Sequence, residues 1–276
     1  GATRLEGGTL DLAGGSLVGE NTFSGSGRFE WTDGELHGAH TIAQGTTARF
    51  SGPTDKILAG SSTLQNYGTI DWLGSGALRG VGQTRFLNHG LLDLQNSASF
   101  IFYNNGVYPN SLFENSGTVY KSSSAPAAFM GDYGGWTFTN RGTLHVGVGT
   151  FNVGPRYEPA DSARLLIGLG SAENYGNLVY PSPATFSGQL QVRLADHTPA
   201  VGQSFTLATY PSHTGQFASP ALPPLPAGRA WKIEYLADKL NLTVVEEITV
   251  TNGAISKSAN GTFQLTVTGT PGQIAL

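Results

Sequence analysis

The sequence predicts an all-β fold made of short strands that stack as a repeat. Glycine accounts for 39 of the 276 residues, twice the usual share of about 7%, and only 12% of residues are charged. Apolar residues make up 39% and aromatic residues 10%, which is enough for a packed core. An Asn-x-Gly motif followed by a short apolar run recurs along the chain, whereas residues 161–169 are the only plausible short helix.

The charge and cysteine content argue against several classes of protein. The net charge is −4 and the basic residues form no run, so we expect no nucleic-acid partner. The lack of cysteine removes disulfides, thiolate zinc sites and cysteine nucleophiles. No apolar run reaches about 18 residues, so we expect no membrane span in this chain. The start at Gly1 and the single methionine, Met130, favour a processed chain or a piece of a longer one.

Five copies of the Asn-x-Gly motif define the repeat. The steps between their asparagines are 22, 27, 25 and 34 residues. The asparagine and glycine of each copy are the predicted bends, because both residues tolerate positive φ and asparagine amides can hydrogen-bond along a stack. The five pairs are Asn66 and Gly68, Asn88 and Gly90, Asn115 and Gly117, Asn140 and Gly142, and Asn174 and Gly176.

Residues after the bends indicate which side chains face inward. The position six residues after the asparagine is apolar in four copies and is Lys121 in the third. Apolar and polar residues alternate around Asp71, which lies between Ile70 and Trp72, and this is the pattern of a strand with one buried face. A repeat this short must bury its strands against neighbouring copies. Weaker copies lie at 7–12 and 25–31, with room for a poorly marked one near 46–50.

With these bends and short strands, residues 1–185 resemble the right-handed parallel β-helix of pectin-lyase-like proteins and autotransporter passenger domains. The resemblance implies about eight coils in a segment of a large exported bacterial protein, located extracellularly or at the cell surface. Coils about 4.8 Å apart would make a rod on the order of 40 Å long. Because this architecture carries lyases, hydrolases, adhesins and inert stalks alike, it does not by itself assign a function.

A second region follows residue 185, where the Asn-x-Gly bends stop, prolines cluster and longer alternating strands begin. It is similar to the β-module that often follows β-helical repeats in large exported proteins, and the matching residues include Gly188, Gly202, Phe205, Gly228, Trp231 and Tyr235. The similarity implies an antiparallel β capping module over 186–245, which would cover the open end of the coils. Residues 246–276 offer terminal strands that cannot form a core alone, so they either begin a further module or pair with another chain.

An acidic column is predicted on the outer surface of the repeat, three residues after each bend glycine. Asp71 and Asp93 should stack on neighbouring coils roughly 5 Å apart, where they could bind a cation or act as a general acid and base. The alternative is that they are solvated residues that keep the rod soluble. No Lys or Arg is expected among them. The predicted column is Asp11, Glu30, Asp71, Asp93, Tyr120, His145 and Val179.

Two histidines and a group of aromatic residues are the other candidates. His37 and His40 have a spacing that suits metal ligands on a helix, but their stretch is rich in glycine, so we predict loop histidines, no metal site and no cofactor. Aromatic residues in two longer inter-bend segments could form a stacking platform for a glycan, or Phe100, Phe102 and Trp136 could instead fill a wider core. The glycan-binding candidates are Tyr103, Tyr108, Asp132, Tyr133 and Trp136.

The expected function is that of a non-enzymatic extracellular β-solenoid: a stalk, adhesin or fibre subunit. Self-association, end to end by strand addition or lateral, is the expected partnership, with a glycan or cell-surface ligand as a further partner. One alternative is a polysaccharide lyase or glycoside hydrolase of the β-helix type that uses Asp71 and Asp93. Another is a glycan-binding module without turnover.

Overall fold

The chain forms stacked β-strands, and no helix occurs among the residues that the computed structural model describes. Those residues are 2–97, 99–103, 111–130, 136–195, 197–247, 254–257 and 263–266. The first fourteen strands are Ala2–Arg4 (β1), Thr9–Ser24 (β2), Arg28–Ile42 (β3), Thr47–Phe50 (β4), Lys56–Asn66 (β5), Thr69–Trp72 (β6), Leu78–Val81 (β7), Arg85–Asn88 (β8), Leu91–Leu94 (β9), Ser99–Tyr103 (β10), Ser111–Asn115 (β11), Thr118–Lys121 (β12), Ala127–Met130 (β13) and Trp136–Asn140 (β14). The others are Thr143–Val146 (β15), Gly149–Asn152 (β16), Tyr157–Pro159 (β17), Arg164–Leu169 (β18), Gly176–Val179 (β19), Ala184–Phe186 (β20), Gln189–Leu194 (β21), Ser204–Thr209 (β22), His213–Gly215 (β23), Ser219–Ala221 (β24), Arg229–Tyr235 (β25), Lys239–Glu246 (β26), Ala254–Lys257 (β27) and Phe263–Thr266 (β28).

Parallel pairing between coils confirms the predicted β-helix, a solenoid of about eight turns. Three faces recur along the stack of coils. The first face contains β4, β6, β9, β12, β15, β18, β21 and β24; the second contains β7, β10, β13, β16, β19 and β22; and the third contains β8, β11, β14 and β17. The long strands β2 and β3 run across all three faces, and β5 runs across the second and third.

The core follows from the alternation of apolar and polar residues. In β6, Ile70 and Trp72 are fully buried, whereas Asp71 points outward. Large aromatic rings continue from coil to coil: Trp72 meets Phe50 at a centroid distance of 5.7 Å and Phe100 at 5.1 Å, both edge to face. Each fully buried side chain of this kind contributes about 1.5–3 kcal/mol relative to an exposed one, so stacking neighbouring copies supplies the core that one copy lacks.

A ladder of buried asparagines lies at the corner between the third and first faces. The Nδ2 of each asparagine donates to the Oδ1 of the next: Asn66 to Asn88 at 2.7 Å, Asn88 to Asn115 at 2.8 Å, and Asn115 to Asn140 at 2.8 Å. The ladder ends where Asn140 donates to the hydroxyl of Tyr157 at 3.2 Å. Because every amide in this series has partners, the polar groups are accommodated in the interior.

The bend glycines are required for a reason other than the predicted one. Gly68, Gly90, Gly117 and Gly142 do not have positive φ. Instead, the coils approach so closely at this corner that a Cβ on Gly90 would lie 2.1 Å from the carbonyl oxygen of Gly68, with the same clash repeated at the next two bends. Glycine is therefore needed here for close backbone packing between coils.

The fifth predicted bend, at Asn174 and Gly176, does not lie on this corner. Asn140 pairs with Pro159, so the corner continues through the end of β17, while Gly176 pairs with Gly149 on the second face. The Asn174 side chain is exposed and is not part of the ladder. The candidate helix at 161–169 is also wrong, because β18 occupies most of it and pairs in parallel with β15.

Parallel stacking continues beyond residue 185, the predicted end of the β-helix. β21 pairs in parallel with β18 and with β24, and β20 pairs in parallel with β23. Antiparallel pairing begins where β26 joins β22 and continues to β25, which is the predicted C-terminal antiparallel element. Leu240, Leu242 and Val244 of β26 are buried there. In the terminal segment, β27 and β28 form an antiparallel pair, and the rest of 248–276 lies outside the described residues.

Candidate functional site

The outward column on the first face is the main cluster of chemically active side chains. Asp71 and Asp93 are register partners on β6 and β9, so their Cα atoms lie about 5 Å apart, as predicted. The column also contains Arg49, which corrects the expectation that it would hold no Lys or Arg. The residue that follows His145 in the column is Leu166 and not the predicted Val179. In order, the column is Asp11, Glu30, Arg49, Asp71, Asp93, Tyr120, His145, Leu166 and Gln191.

The two central aspartates have different surroundings. Asp93 accepts hydrogen bonds from Gln95 Nε2 at 2.9 Å and from Ser122 Oγ at 2.5 Å. Partial burial, and then the charge of Asp93, raise the pKa of Asp71, although Arg49 opposes this shift. The two carboxyl groups therefore differ in their surroundings: Asp71 retains its proton to a higher pH than an ordinary aspartate, whereas Asp93 accepts two side-chain hydrogen bonds.

The N-terminal part of the column is internally paired. Arg28 Nε lies 3.0 Å from Glu30 Oε2, and Ser51 Oγ donates to the other oxygen of this carboxylate. Arg49 follows Glu30, and its Nε is buried without a hydrogen-bond partner among the described residues. These charges are close to balanced, so this part of the surface is a mixed polar strip rather than a strongly acidic patch.

An aromatic stack continues the column beyond Asp93. The rings of Tyr120 and His145 stack with a centroid distance of 4.3 Å. Partial burial, and then the nearby Arg193 guanidinium, lower the pKa of His145 to about 4, so its imidazole is neutral at pH 7. Tyr120 lies between Asp93 and His145 in the column, so the stack continues the acidic pair with two neutral rings.

The two histidines near the N-terminus, His37 and His40, lie within β3 and not in the predicted loop, because the glycine-rich stretch continues as a strand. His37 Nε2 lies 2.7 Å from Glu35 Oε2, while the fully buried His40 contacts the His37 carbonyl oxygen at 3.2 Å and the Asn21 amide at 3.3 Å. In the part of the chain that the structure describes, no three His, Cys, Asp or Glu residues converge as metal ligands. No helix there is long and apolar enough to cross a membrane.

The predicted glycan platform is corrected at its tryptophan. Trp136 is 1% exposed, its ring packs against Phe100, and its Nε1 donates to the carbonyl oxygen of Ile101 at 3.2 Å. It fills the core, as the alternative interpretation had it, because its position on β14 faces inward. Tyr103 ends β10, where the structure describes its backbone but not its side chain. Tyr108, Asp132 and Tyr133 lie outside the described residues.

A fully buried lysine is a feature that the sequence interpretation missed. Lys121 occupies an inward position of β12, where its register partners are Leu94 and Val146. Burial lowers its pKa to about 8, while the charge of Asp93 acts in the opposite direction. The signal in the sequence was that one copy of the repeat carries a lysine where the other copies are apolar.

Comparison with known proteins does not assign a family. No protein-family model matches the chain, and no curated protein is similar to it in sequence. The functional conclusion therefore rests on the residues and their geometry.

Proposed function

We propose that this chain is an extracellular structural β-solenoid of bacterial origin, serving as a stalk, adhesin or fibre subunit whose principal role is mechanical. The asparagine ladder is the observation that carries this proposal. It joins four successive coils and then Tyr157 through buried side-chain hydrogen bonds, in addition to the backbone pairing of every coil. Such a series of directional bonds resists separation of the coils along their stacking axis, which is the property that a force-carrying element needs.

The ladder also supports a mechanical role because its amide groups are directed at the neighbouring coils. Its amides donate both to one another and to backbone carbonyls of the next coil, as Asn66 does to Leu91 at 2.9 Å and Asn88 to Thr118 at 3.0 Å. All four asparagines of the ladder are buried. Their hydrogen-bonding capacity is thus directed at coil-to-coil cohesion rather than at a ligand.

Single-molecule force measurements test the proposal. The chain is pulled from its two ends, and coils are expected to separate stepwise, each 22-residue coil such as Thr69 to Leu91 releasing about 80 Å of chain. Asn88→Ala should lower the force of the central steps, and Asn174→Ala, an exposed asparagine in the same sequence motif, should not. Rupture at low force without steps, or equal forces for both variants, would contradict a mechanical role.

Self-association is the partnership that fits this role. The terminal pair β27–β28 forms its own two-stranded sheet among the described residues, and an isolated two-stranded sheet is marginally stable in water. Addition of such strands to another copy would satisfy their edges and extend the fibre. Electron microscopy of concentrated protein should show end-to-end filaments that disappear when 247–276 is deleted. Monomers at every concentration would rule this assembly out.

A second candidate is glycoside hydrolysis or polysaccharide cleavage at Asp71 and Asp93. It is favoured by the different surroundings of the two carboxyl groups, since one has a raised pKa and the other accepts two hydrogen bonds. Neutral and acidic glycans are incubated with the protein in the presence of calcium, and product release is measured. Release that is lost in the double variant Asp71→Ala, Asp93→Ala would support this activity, and release that persists would assign it elsewhere.

A further inference from the structure

Two lysines are fully buried in the solenoid, and their amino groups have different partners. Lys56 Nζ donates to the main-chain carbonyl oxygens of Thr54 at 2.7 Å and Gly52 at 3.4 Å. Lys121 Nζ lies 3.0 Å from the side-chain oxygen of Ser123 and also donates to the Ser123 carbonyl oxygen. A buried amine within hydrogen-bond reach of a serine hydroxyl is the geometry of a general base and its nucleophile.

The surroundings of Lys121 allow its amino group to act as a base near neutral pH. Its side chain lies between the coils of Leu94 and Val146, and this burial lowers the pKa to about 8. Asp93 is the nearby carboxylate that opposes the shift, and His145 on the neighbouring strand is neutral above about pH 4. At pH 7 about a tenth of the Lys121 amines are then unprotonated, far more than for a solvated lysine with a pKa of about 10.4.

Ser123 lies where a substrate can reach it. It follows β12 at the corner between the first and second faces, where the chain bends through residues 123–125, and it is half-exposed. The backbone N–H groups of Ser123 and Ser124 donate to no acceptor in the described part of the chain. Unused N–H groups beside a nucleophile are the donors that stabilise the oxyanion of an acyl-transfer reaction.

We propose that Ser123 and Lys121 form a nucleophile–base dyad that hydrolyses small esters on the outside of the solenoid. Ser123 Oγ attacks the ester carbonyl carbon while its proton passes to Lys121 Nζ. The C–O bond to the alcohol then breaks, and the alcohol leaves with that proton, so that the acyl group is held on Ser123. Water attacks this acyl-serine, Lys121 takes a proton from the water and returns it to Ser123 Oγ, and the carboxylic acid is released.

The neighbouring residues provide matched controls, because a similar residue with different contacts exists for each member. Ser122 Oγ donates to Asp93 at 2.5 Å, and within the described part of the chain no hydrogen bond joins Ser122 to an amine or Lys56 to a hydroxyl group. Ser122→Ala and Lys56→Met therefore remove the same chemical groups without removing the dyad. This site is additional to the mechanical role and does not depend on it.

The experiment uses a fluorophosphonate probe, which labels activated serines, together with hydrolysis of an aryl acetate ester. The intact chain should be labelled at Ser123, as located by peptide mass spectrometry, and its hydrolysis rate should rise with pH around a midpoint near pH 8. Ser123→Ala and Lys121→Met should each lower hydrolysis by about 100-fold or to the buffer rate, while Ser122→Ala and Lys56→Met retain it. Circular dichroism confirms that each variant is folded.

Asp93→Asn gives a second readout that a purely structural role would not affect. Removal of the carboxylate charge that raises the Lys121 pKa should move the midpoint of the pH profile to lower pH. The proposal is overturned if the intact chain is not labelled, if labelling is spread equally over residues 122–124, or if Lys121→Met leaves both labelling and hydrolysis unchanged. None of these outcomes affects the force measurements, so the two proposals fail separately.

Discussion

The side-chain amide of Asn88 joins two coils by donating to Asn115 Oδ1 at 2.8 Å, and it also donates to the backbone carbonyl oxygen of Thr118 at 3.0 Å. Its own Oδ1 accepts from Asn66 at 2.7 Å. One buried side chain thus takes part in three hydrogen bonds that all cross between coils. In a low-dielectric interior such bonds strengthen one another, and a missing member leaves its neighbours unsatisfied.

Asn88→Ala is expected to lower the free energy of unfolding by about 2–3 kcal/mol, because it removes the acceptor of one Asn66 amide N–H and the donor to Asn115 Oδ1, both of which are buried. Urea denaturation followed by tryptophan fluorescence measures the change. The matched control is Asn174→Ala, which removes an exposed asparagine of the same motif and should change stability by less than about 0.5 kcal/mol. Equal losses in the two variants would show that the ladder does not contribute.

The contrast between Asn88 and Asn174 shows how far the sequence determines the fold. Alternation and Asn-x-Gly spacing were sufficient to predict stacked parallel strands, because both are local patterns that recur at each coil. The Asn174 motif looks identical locally, but the preceding coils have already placed Pro159 at the corner next to Asn140. Which face a motif occupies depends on the summed lengths of the turns before it, and local sequence does not contain that information.

Gly90→Ala is expected to destabilise the solenoid by about 3 kcal/mol, at the upper end for overpacking, because its Cβ would lie 2.1 Å from the Gly68 carbonyl oxygen. The backbone groups of both coils are hydrogen-bonded to each other at this corner, so neither backbone can move aside without breaking such bonds. Gly202→Ala is the control: this glycine has a φ of +85° and open space around its Cβ position, so only the conformational cost of about 1 kcal/mol applies. Thermal unfolding of the two variants compares these effects, and a larger loss for Gly202→Ala would refute the close-packing explanation.

Asp71→Asn is expected to stabilise the protein at pH 7. Burial and the Asp93 charge raise the pKa of Asp71 in the folded state, so its ionisation above that pKa opposes folding. The stability gained by the variant should shrink as the pH falls towards about 4, the pKa of an aspartate in the unfolded chain, because the wild-type carboxyl group then becomes protonated as well. Urea denaturation at pH 7 and pH 4 measures this. Asp11→Asn, in the exposed first position of the column, is the control, and an equal gain there would point to a general charge effect.

The candidate site was only partly predictable for a related reason. The pairing of Asp71 with Asp93 follows from two well-marked copies of the repeat, which are 22 residues apart. Arg49 was missed because the copy around 46–50 lacks the Asn-x-Gly motif, so its register becomes clear only from its pairing with β3 and β6. Lys121 was visible as an exception to the apolar pattern, but its contact with Ser123 depends on the path of the corner, which the alternation of residues does not describe.

His145→Phe is expected to make the fold more resistant to acid. The folded-state pKa of His145 is lowered to about 4, below the unfolded value of about 6.5, so the folded protein favours the neutral ring. Its contribution to stability is therefore fully present above about pH 6.5 and is lost as the pH falls towards about 4. Phenylalanine can keep the stack on Tyr120 but does not titrate, so the difference between variant and wild type should grow over this range.

Urea denaturation at several values between pH 7 and pH 4 measures the effect, with His89→Phe as the control. His89 also stacks on a tyrosine, Tyr67, at a centroid distance of 4.6 Å, but it lies on the bend between β8 and β9. The His89→Phe protein retains His145 and should keep the acid-induced loss that depends on it. If His145→Phe loses stability with pH as steeply as the wild type, the burial of a neutral imidazole on the first face does not contribute to the acid sensitivity of the solenoid.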